Sequence, residues 1–397
     1  MAMNVGYYFH VAAVFDDGVA RIPSHYAMFV RGLAAHAGSV TFYAHSAAGD
    51  GTETDRLEEP NIRCVNLGCR RNAPFRVFLP ALSLRSFRPR RDGVDAMIVR
   101  SPTPLMAGMI RRCKSDGVAV LPMFVADLRK WRPSRSMPRW RNALMPWFFA
   151  KRHLAQIERV IRTMPTAAIS RAIYEGHEVF DGNVVFTATV TDADLARFGT
   201  QRPRWPEGLG ANQPLRLLFT GRFAEEKGLF ELVDALRLLR DSGVDVELEL
   251  VGYASADRTI GNLLEDATAK GVRDAMVVTG FIPAGPSLLS KYRDAHIYVL
   301  PTHAEGSVPR TIKEALSTRM PIITTGIPHI AEYLTHEQEA LFIEMNSPVA
   351  IADAVKRLLA DEELARSVAD RGFEWARHLT NERSVRRVLD VLQQSVL

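Results

Sequence analysis

Short apolar runs rich in Val, Ile and Leu recur through the second half of the chain, and stretches with helical spacing separate them. The runs are 215–221, 246–252, 276–281, 297–301, 321–325 and 340–343; the helical stretches are 226–240, 256–270, 286–293, 310–318 and 349–359. A strand that is apolar at nearly every position has to be covered on both faces, as strands of a parallel sheet are. Alternation with amphipathic helices therefore predicts βαβ units. The first half shows a looser version of the pattern, with strands expected at 4–10, 40–45, 62–67, 96–100, 118–125, 167–170 and 183–187 and helices at 24–36 and 104–114.

A chain of 397 residues is long for one core, so two domains are the natural expectation. Residues 201–214 (QRPRWPEGLGANQP) are rich in Pro and Gly and read as a linker. The expected organisation is a Rossmann-like first domain over 1–203, a second over 204–375, and a terminal helix, 376–397, packing back on the first. The tail is helical in pattern from 372 onward, with apolar residues at Trp375, Leu379, Val385, Val388, Leu389 and Leu392.

No apolar run approaches the ~18 residues of a membrane span. The apolar stretch 3–15 lacks a basic leader and a small-residue cleavage site, and reads as a buried strand and not as a signal peptide. Cys64, Cys69 and Cys113 form no disulfide framework, and no CxxC or HExxH accompanies them, so zinc is not expected. These features suit the cytoplasm, with reduced thiols. The net charge of +5 is unevenly spread: 70–91 and 129–152 hold almost no acid. In the latter, Trp131, Trp140, Trp147, Phe148 and Phe149 alternate with Arg and Lys. That composition suits peripheral contact with an anionic membrane at its inner face; it equally suits a helix that buries its aromatics in the first domain. No nucleic-acid module is recognisable, so nucleic acid is not an expected partner.

Open α/β sheets bind ligands at the carboxyl ends of their strands. The first loop in such a position is 221–228, Gly221-Arg222-Phe223-Ala224-Glu225-Glu226-Lys227-Gly228. Gly221 permits a tight turn, and Arg222 and Lys227 supply a guanidinium fork and an ammonium for phosphate oxygens. The loop is not a Walker A motif, and the chain has no GxGxxG. The second loop follows 297–300 and runs Pro301-Thr302-His303-Ala304-Glu305-Gly306-Ser307-Val308-Pro309 into a helix carrying Glu314. Amides of Gly306, Ser307 and Val308 at a helix start suit an anion. The carboxylates of Glu305 and Glu314 suit the hydroxyl pairs of a sugar or ribose. Asp192-Ala193-Asp194 is a DxD, but at the start of a short helical pattern it reads as capping. His10, His25 and His45 sit at strand ends or in the first helix, where structural roles are the expectation.

The strand–GRxxxxKG–helix, the later EG…P…EA…PII segment and the connecting Gly280-Phe281…Leu288…Tyr292…Ala295-His296-Ile297 resemble the retaining glycosyltransferases of family 4. The resemblance is strong over 215–377 and weaker over 3–200. It implies a GT-B α/β fold, two Rossmann-like doubly wound domains facing each other across a cleft, the first (1–203) binding the acceptor and the second (204–375) the nucleotide-sugar. It also implies a nucleotide-diphosphate sugar as donor substrate, no separate cofactor, and a glycan or lipid-linked acceptor in cell-surface polysaccharide assembly. Nor is any metal expected where protein cations meet a diphosphate. By resemblance, Arg222 and Lys227 hold the donor diphosphate, Glu305 contacts the donor sugar, Glu314 binds the ribose, Gly306 to Val308 cradle the distal phosphate, and Gly18 lies in a loop near donor and acceptor. Asp127, at a strand end, is placed to orient the acceptor or to cap a helix. The sequence departs from the family in three ways: eight residues separate Glu305 from Glu314 where seven are usual, Ala126 stands where a His is common, and the N-terminal double glycine is reduced to Gly18. Other GT-B activities, a sugar-nucleotide epimerase or a phosphorylase, and a non-catalytic nucleotide-binding protein share the same motifs.

Overall fold

The computed structural model describes residues 3–49, 51–71, 75–76, 79–126, 151–174, 183–200, 205, 209, 213–254 and 259–394, with backbone only at 151–153. The chain forms two compact units: Met1–Thr187 together with Asn381–Leu397, and Ala188–Thr380.

The first unit is built on β1 (Asn4–Asp16), β2 (Val19–Ile22), β3 (Ser39–Ser46), β4 (Asp55–Arg56), β5 (Ile62–Cys69), β6 (Ala96–Ser101), β7 (Ala119–Phe124) and β8 (Ala167–Ala168). The parallel order is β5-β3-β1-β6-β7-β8, and the end of β1 turns back antiparallel into β2, which pairs β4. Alternation along the central strands builds two cores. Val5, Tyr7 and Phe9 of β1 and Ala96 and Ile98 of β6 pack on one face, with helices Ser24–His36 and Asn381–Gln394. Tyr8, Met97 and Val99 pack on the other, with helix Met106–Ser115. Val385, Val388, Leu389 and Leu392 are all buried in the first of these cores, with Val5, Tyr7 and Phe9, each stabilising by roughly 1.5–3 kcal/mol. That is why the terminal helix stays on this unit. Gly32 allows its close approach, since a Cβ there would lie 2.8 Å from Val385 Cγ2.

The second unit is wholly parallel, β11-β10-β9-β12-β13-β14, from β9 (Leu215–Phe223), β10 (Val246–Ala254), β11 (Met276–Gly280), β12 (Ile297–Leu300), β13 (Ile322–Thr325) and β14 (Leu341–Ile343). Leu215, Leu217, Leu218 and Phe219 are buried on alternate faces of β9, as their unbroken apolar run requires. The order reverses at β9, whose neighbours are β10 on one side and β12 on the other.

Three details differ from the sequence reading. The first strand spans the whole apolar stretch to Asp16, as its reading as a buried strand implies, but ends in an unforeseen hairpin through Asp17 and Gly18, both at positive φ (50° and 80°). Such a turn matches the twist of the strands it joins. Residues 183–187 form no strand, only a bridge from Val184 to Ala168, because β8 is two residues long and offers no ladder. The helical tail is broken after Ala376 and resumes at Asn381, where the chain passes from the second unit to the first. The contact boundary between units falls before Ala188, ahead of the Pro/Gly stretch 201–214. Helix Asp192–Phe198 packs on helix Pro286–Asp294 and belongs to the second unit.

Candidate functional site

The β9 and β12 loops leave adjacent strands at the point where the sheet order reverses, the position at which open α/β sheets bind ligands. They are knitted together by their backbones. His303 N–H donates to the Glu226 carbonyl at 2.8 Å, and Thr302 Oγ1 lies 3.2 Å from the same oxygen. Gly228 makes the contact possible: its φ is 72°, and a Cβ there would lie 2.1 Å from the Pro301 carbonyl oxygen. Gly221 sits opposite Gly252 across β9 and β10, and a Cβ on Gly252 would lie 1.7 Å from the Gly221 carbonyl oxygen. The strand ends can close up only without side chains at these points.

Within this frame Lys227 ends a one-turn 3₁₀ helix, Glu225–Lys227, and donates its ammonium to Glu305 Oε1. Thr302 Oγ1 donates to that same carboxylate oxygen at 2.9 Å. Both side chains are largely buried, 17% and 13% exposed. Arg222, at the end of β9, is half exposed and pairs with Glu226. The two cations expected at the diphosphate are thus held in the β9 loop, each beside a carboxylate.

Glu314 occupies a different environment. It is buried in helix Arg310–Ser317, and both its oxygens accept hydrogen bonds. Thr189 Oγ1 donates to Oε1 at 2.5 Å and Tyr292 Oη to Oε2 at 2.8 Å; Thr220 Oγ1 lies 2.5 Å from Tyr292 Oη. Such bonds offset the cost of burying a carboxylate. Burial, and next the Glu314 charge, hold the Tyr292 hydroxyl well above the usual tyrosine range. Lys313, the preceding residue, is buried too, and its ammonium is pushed down to about 7, chiefly by burial and then by Arg310, with Glu314 opposing. Thr189, Thr220 and Lys313 carried no sequence signal. Thr189 lies 125 residues from the carboxylate it bonds.

Between the two acids, Gly306 is exposed while Ser307 and Val308 are buried, and Pro309 is the N-cap residue, so the helix starts one residue after the proline. Gly18 lies in the first unit at the tip of its hairpin, with open space around it. Asp127 and residues up to 150, including nearly all of the 129–152 basic stretch, lie outside the described residues. The DxD is a cap: Thr191 Oγ1 accepts from Asp194 N–H at 3.0 Å, and Asp194 Oδ2 accepts from Thr191 N–H at 3.0 Å. Among the described residues no helix is long and apolar enough to cross a membrane.

Residues 214–361, which contain both loops, match the family described as Glycosyl transferases group 1. The second unit carries a group 1 glycosyl transferase domain. The chain is 26% identical over 210 residues to a putative colanic acid biosynthesis glycosyltransferase, WcaL, of Escherichia coli K12, covering 51% of this chain and 49% of the relative. It is 32% identical over 167 residues to a putative teichuronic acid biosynthesis glycosyltransferase, TuaC, of Bacillus subtilis, covering 42% and 38%. The chain thus spans about half or less of the length of these curated relatives. Across the group 1 domain and the first unit alike, the fold is that of GT-B proteins. A glycosyltransferase from Rickettsia africae superposes with a TM-score of 0.70 at 16% identity over 99% of this chain and 98% of that one. Anabaena Alr3699/HepE, solved with UDP and glucose, superposes with a TM-score of 0.70 at 14% identity over 98% and 99%.

Proposed function

We propose that this protein is a retaining glycosyltransferase that moves a sugar from a nucleotide-diphosphate donor, held by the group 1 domain, to a hydroxyl of a glycan or lipid-linked acceptor in cell-surface polysaccharide assembly. The observation that carries the reading is the meeting of Lys227 and Glu305 at the sheet's switch point, one from each of the two loops. The names of WcaL and TuaC support polysaccharide assembly as the setting, and the UDP and glucose in the Anabaena protein support a nucleotide-sugar donor.

The chemistry follows from charge. The bond from the anomeric carbon to the diphosphate oxygen breaks, positive charge grows on the sugar, and negative charge grows on the leaving group. Arg222 and Lys227 meet that charge as fixed protein cations, the role a divalent ion plays elsewhere. The acceptor oxygen bonds the anomeric carbon on the face the diphosphate leaves, and its proton passes to the departing phosphate oxygen. Glu305 holds Lys227 in place before the donor arrives and turns to the sugar hydroxyls once the phosphate takes the ammonium. Glu314, fixed by Thr189 and Tyr292, offers its remaining lone pairs to the ribose.

Screening nucleoside diphosphate sugars against the full chain in EDTA, by thermal shift and then by sugar transfer, tests this. Stabilisation by a nucleoside diphosphate sugar and acceptor-dependent transfer with retained anomeric configuration are expected. Donor turnover to an epimer without any acceptor, or transfer that needs a divalent ion, contradicts it.

A further inference from the structure

We infer that the first unit holds a subsite for a phosphate or diphosphate group carried by the acceptor, formed by Arg70, Arg76 and Arg100 at the carboxyl ends of the β5, β3, β1 and β6 strands. The inference rests on the proposed function, in which the second unit holds the donor, and extends it by assigning the acceptor to the first unit.

Arg100 lies near the end of β6 and is 8% exposed. Its guanidinium stands over the Tyr26 ring at 4.3 Å and over the Phe9 ring at 5.7 Å. Among the described residues its buried Nη1 has no hydrogen-bond partner. Arg76 is 7% exposed, bonds the Tyr8 hydroxyl, and leaves its buried Nε without a partner in the same sense. Arg70, one residue past β5, is exposed. His10, next to them on β1, leaves its buried Nδ1 without a partner. His45, near the end of β3, reaches the Ser83 carbonyl at 3.2 Å.

The two histidines report the field. Burial and then Arg100, Arg70 and Arg76 drive His10 down to about 3. Burial brings His45 down to about 4, with Arg76 and Arg70 adding to it and the Ser83 carbonyl opposing. Both rings are therefore neutral at ordinary pH, and the local charge is that of the guanidiniums. Among the described residues no carboxylate lies within ion-pair distance of Arg70, Arg76 or Arg100.

Burying a guanidinium without an acid costs several kcal/mol, and stacking on Tyr26 offsets only part of it. A ligand anion supplies the rest. Guanidinium forks match phosphate oxygens in geometry. Three like charges converging without an acid favour a dianion or diphosphate over a single carboxylate. The strand ends are the place where open α/β sheets bind ligands.

Titrating the full chain with inorganic phosphate, pyrophosphate and glucuronate by calorimetry, at matched ionic strength, tests this. Saturable binding of phosphate or pyrophosphate is expected, stronger than that of glucuronate. Arg100→Gln and Arg76→Gln should each weaken it by at least about tenfold. Pyrophosphate also fits the donor-site cations, so the titrations are repeated in Lys227→Ala, which should weaken nucleoside diphosphate binding; the phosphate binding that remains should still fall with Arg100→Gln and Arg76→Gln, so the subsite and the donor site fail separately. Circular dichroism and melting check that each arginine variant folds, and Arg100→Lys should restore part of the binding. Absence of saturable phosphate binding, equal binding of glucuronate, or phosphate binding that is lost with Lys227→Ala and kept in both arginine variants overturns the inference.

Discussion

The Lys227 ammonium and the Glu305 carboxylate, 78 residues apart in the chain, form an ion pair that joins the loops of β9 and β12. The pair places a cation at the sheet's switch point, and in the proposed function a phosphate has to displace its carboxylate partner. Glu305→Gln should therefore tighten binding of a nucleoside diphosphate lacking sugar by roughly two- to fivefold, the scale of a partly screened pair. Transfer from the full donor should fall, because the sugar loses its carboxylate partner. Calorimetry and initial rates separate the two effects.

Glu314 depends on its hydroxyl donors. Tyr292→Phe leaves Oε2 without its bond in a buried site and should cost about 1–3 kcal/mol of stability. Thr189→Val should do the same at Oε1. Both donors bond one carboxylate, so the double variant should depart from additivity. Denaturant unfolding of the four proteins measures it.

Lys313 predicts a pH dependence. Its folded pKa, about 7, lies below the unfolded 10.5. Below pH 7 both states bind the proton and the burial penalty is full. Between about 7 and 10.5 the unfolded chain binds more protons, so this group's contribution to stability rises with pH, by on the order of a few kcal/mol across the window. Lys313→Met should be more stable than the natural chain at pH 7 and should flatten that part of the curve. Melting temperatures of both proteins from pH 6 to 10 give the difference.

Gly228→Ala brings a Cβ into the Pro301 carbonyl and places a side chain at φ 72°. The backbone alone costs about 1–2 kcal/mol, and relief of the clash separates the two loops. Nucleoside diphosphate binding should weaken by roughly tenfold, with only a modest loss in melting temperature.

The second unit was legible almost throughout. The runs at 215–221, 246–252, 297–301 and 321–325 reappear as β9, β10, β12 and β13 within two residues, because strands buried on both faces leave an unbroken apolar record. The β1–β2 hairpin was not legible: Val11 to Phe15 read as a continuation of an apolar stretch, and only Asp17-Gly18 hints at the turn. Among the site residues, Arg222, Lys227 and Glu305 could be read because they stand in loops with fixed offsets from strands. The Thr189, Tyr292 and Thr220 hydroxyls around Glu314 come from a loop, a helix and a strand far apart in the chain, and no local pattern encodes such a meeting. The arginines of the first unit were visible only as an excess of charge over 70–91, with Arg100 outside it.

In the proposed function, protein cations on the β9 loop hold the diphosphate in place of a metal ion. Calorimetric titration of the full chain in EDTA, with the nucleoside diphosphate that raises its melting temperature most, tests this directly. The natural chain should bind as tightly in EDTA as in magnesium, and Arg222→Ala/Lys227→Ala should lose at least about 100-fold in affinity while keeping its fold. Binding that appears only with a divalent ion, or that survives the double substitution unchanged, contradicts the account.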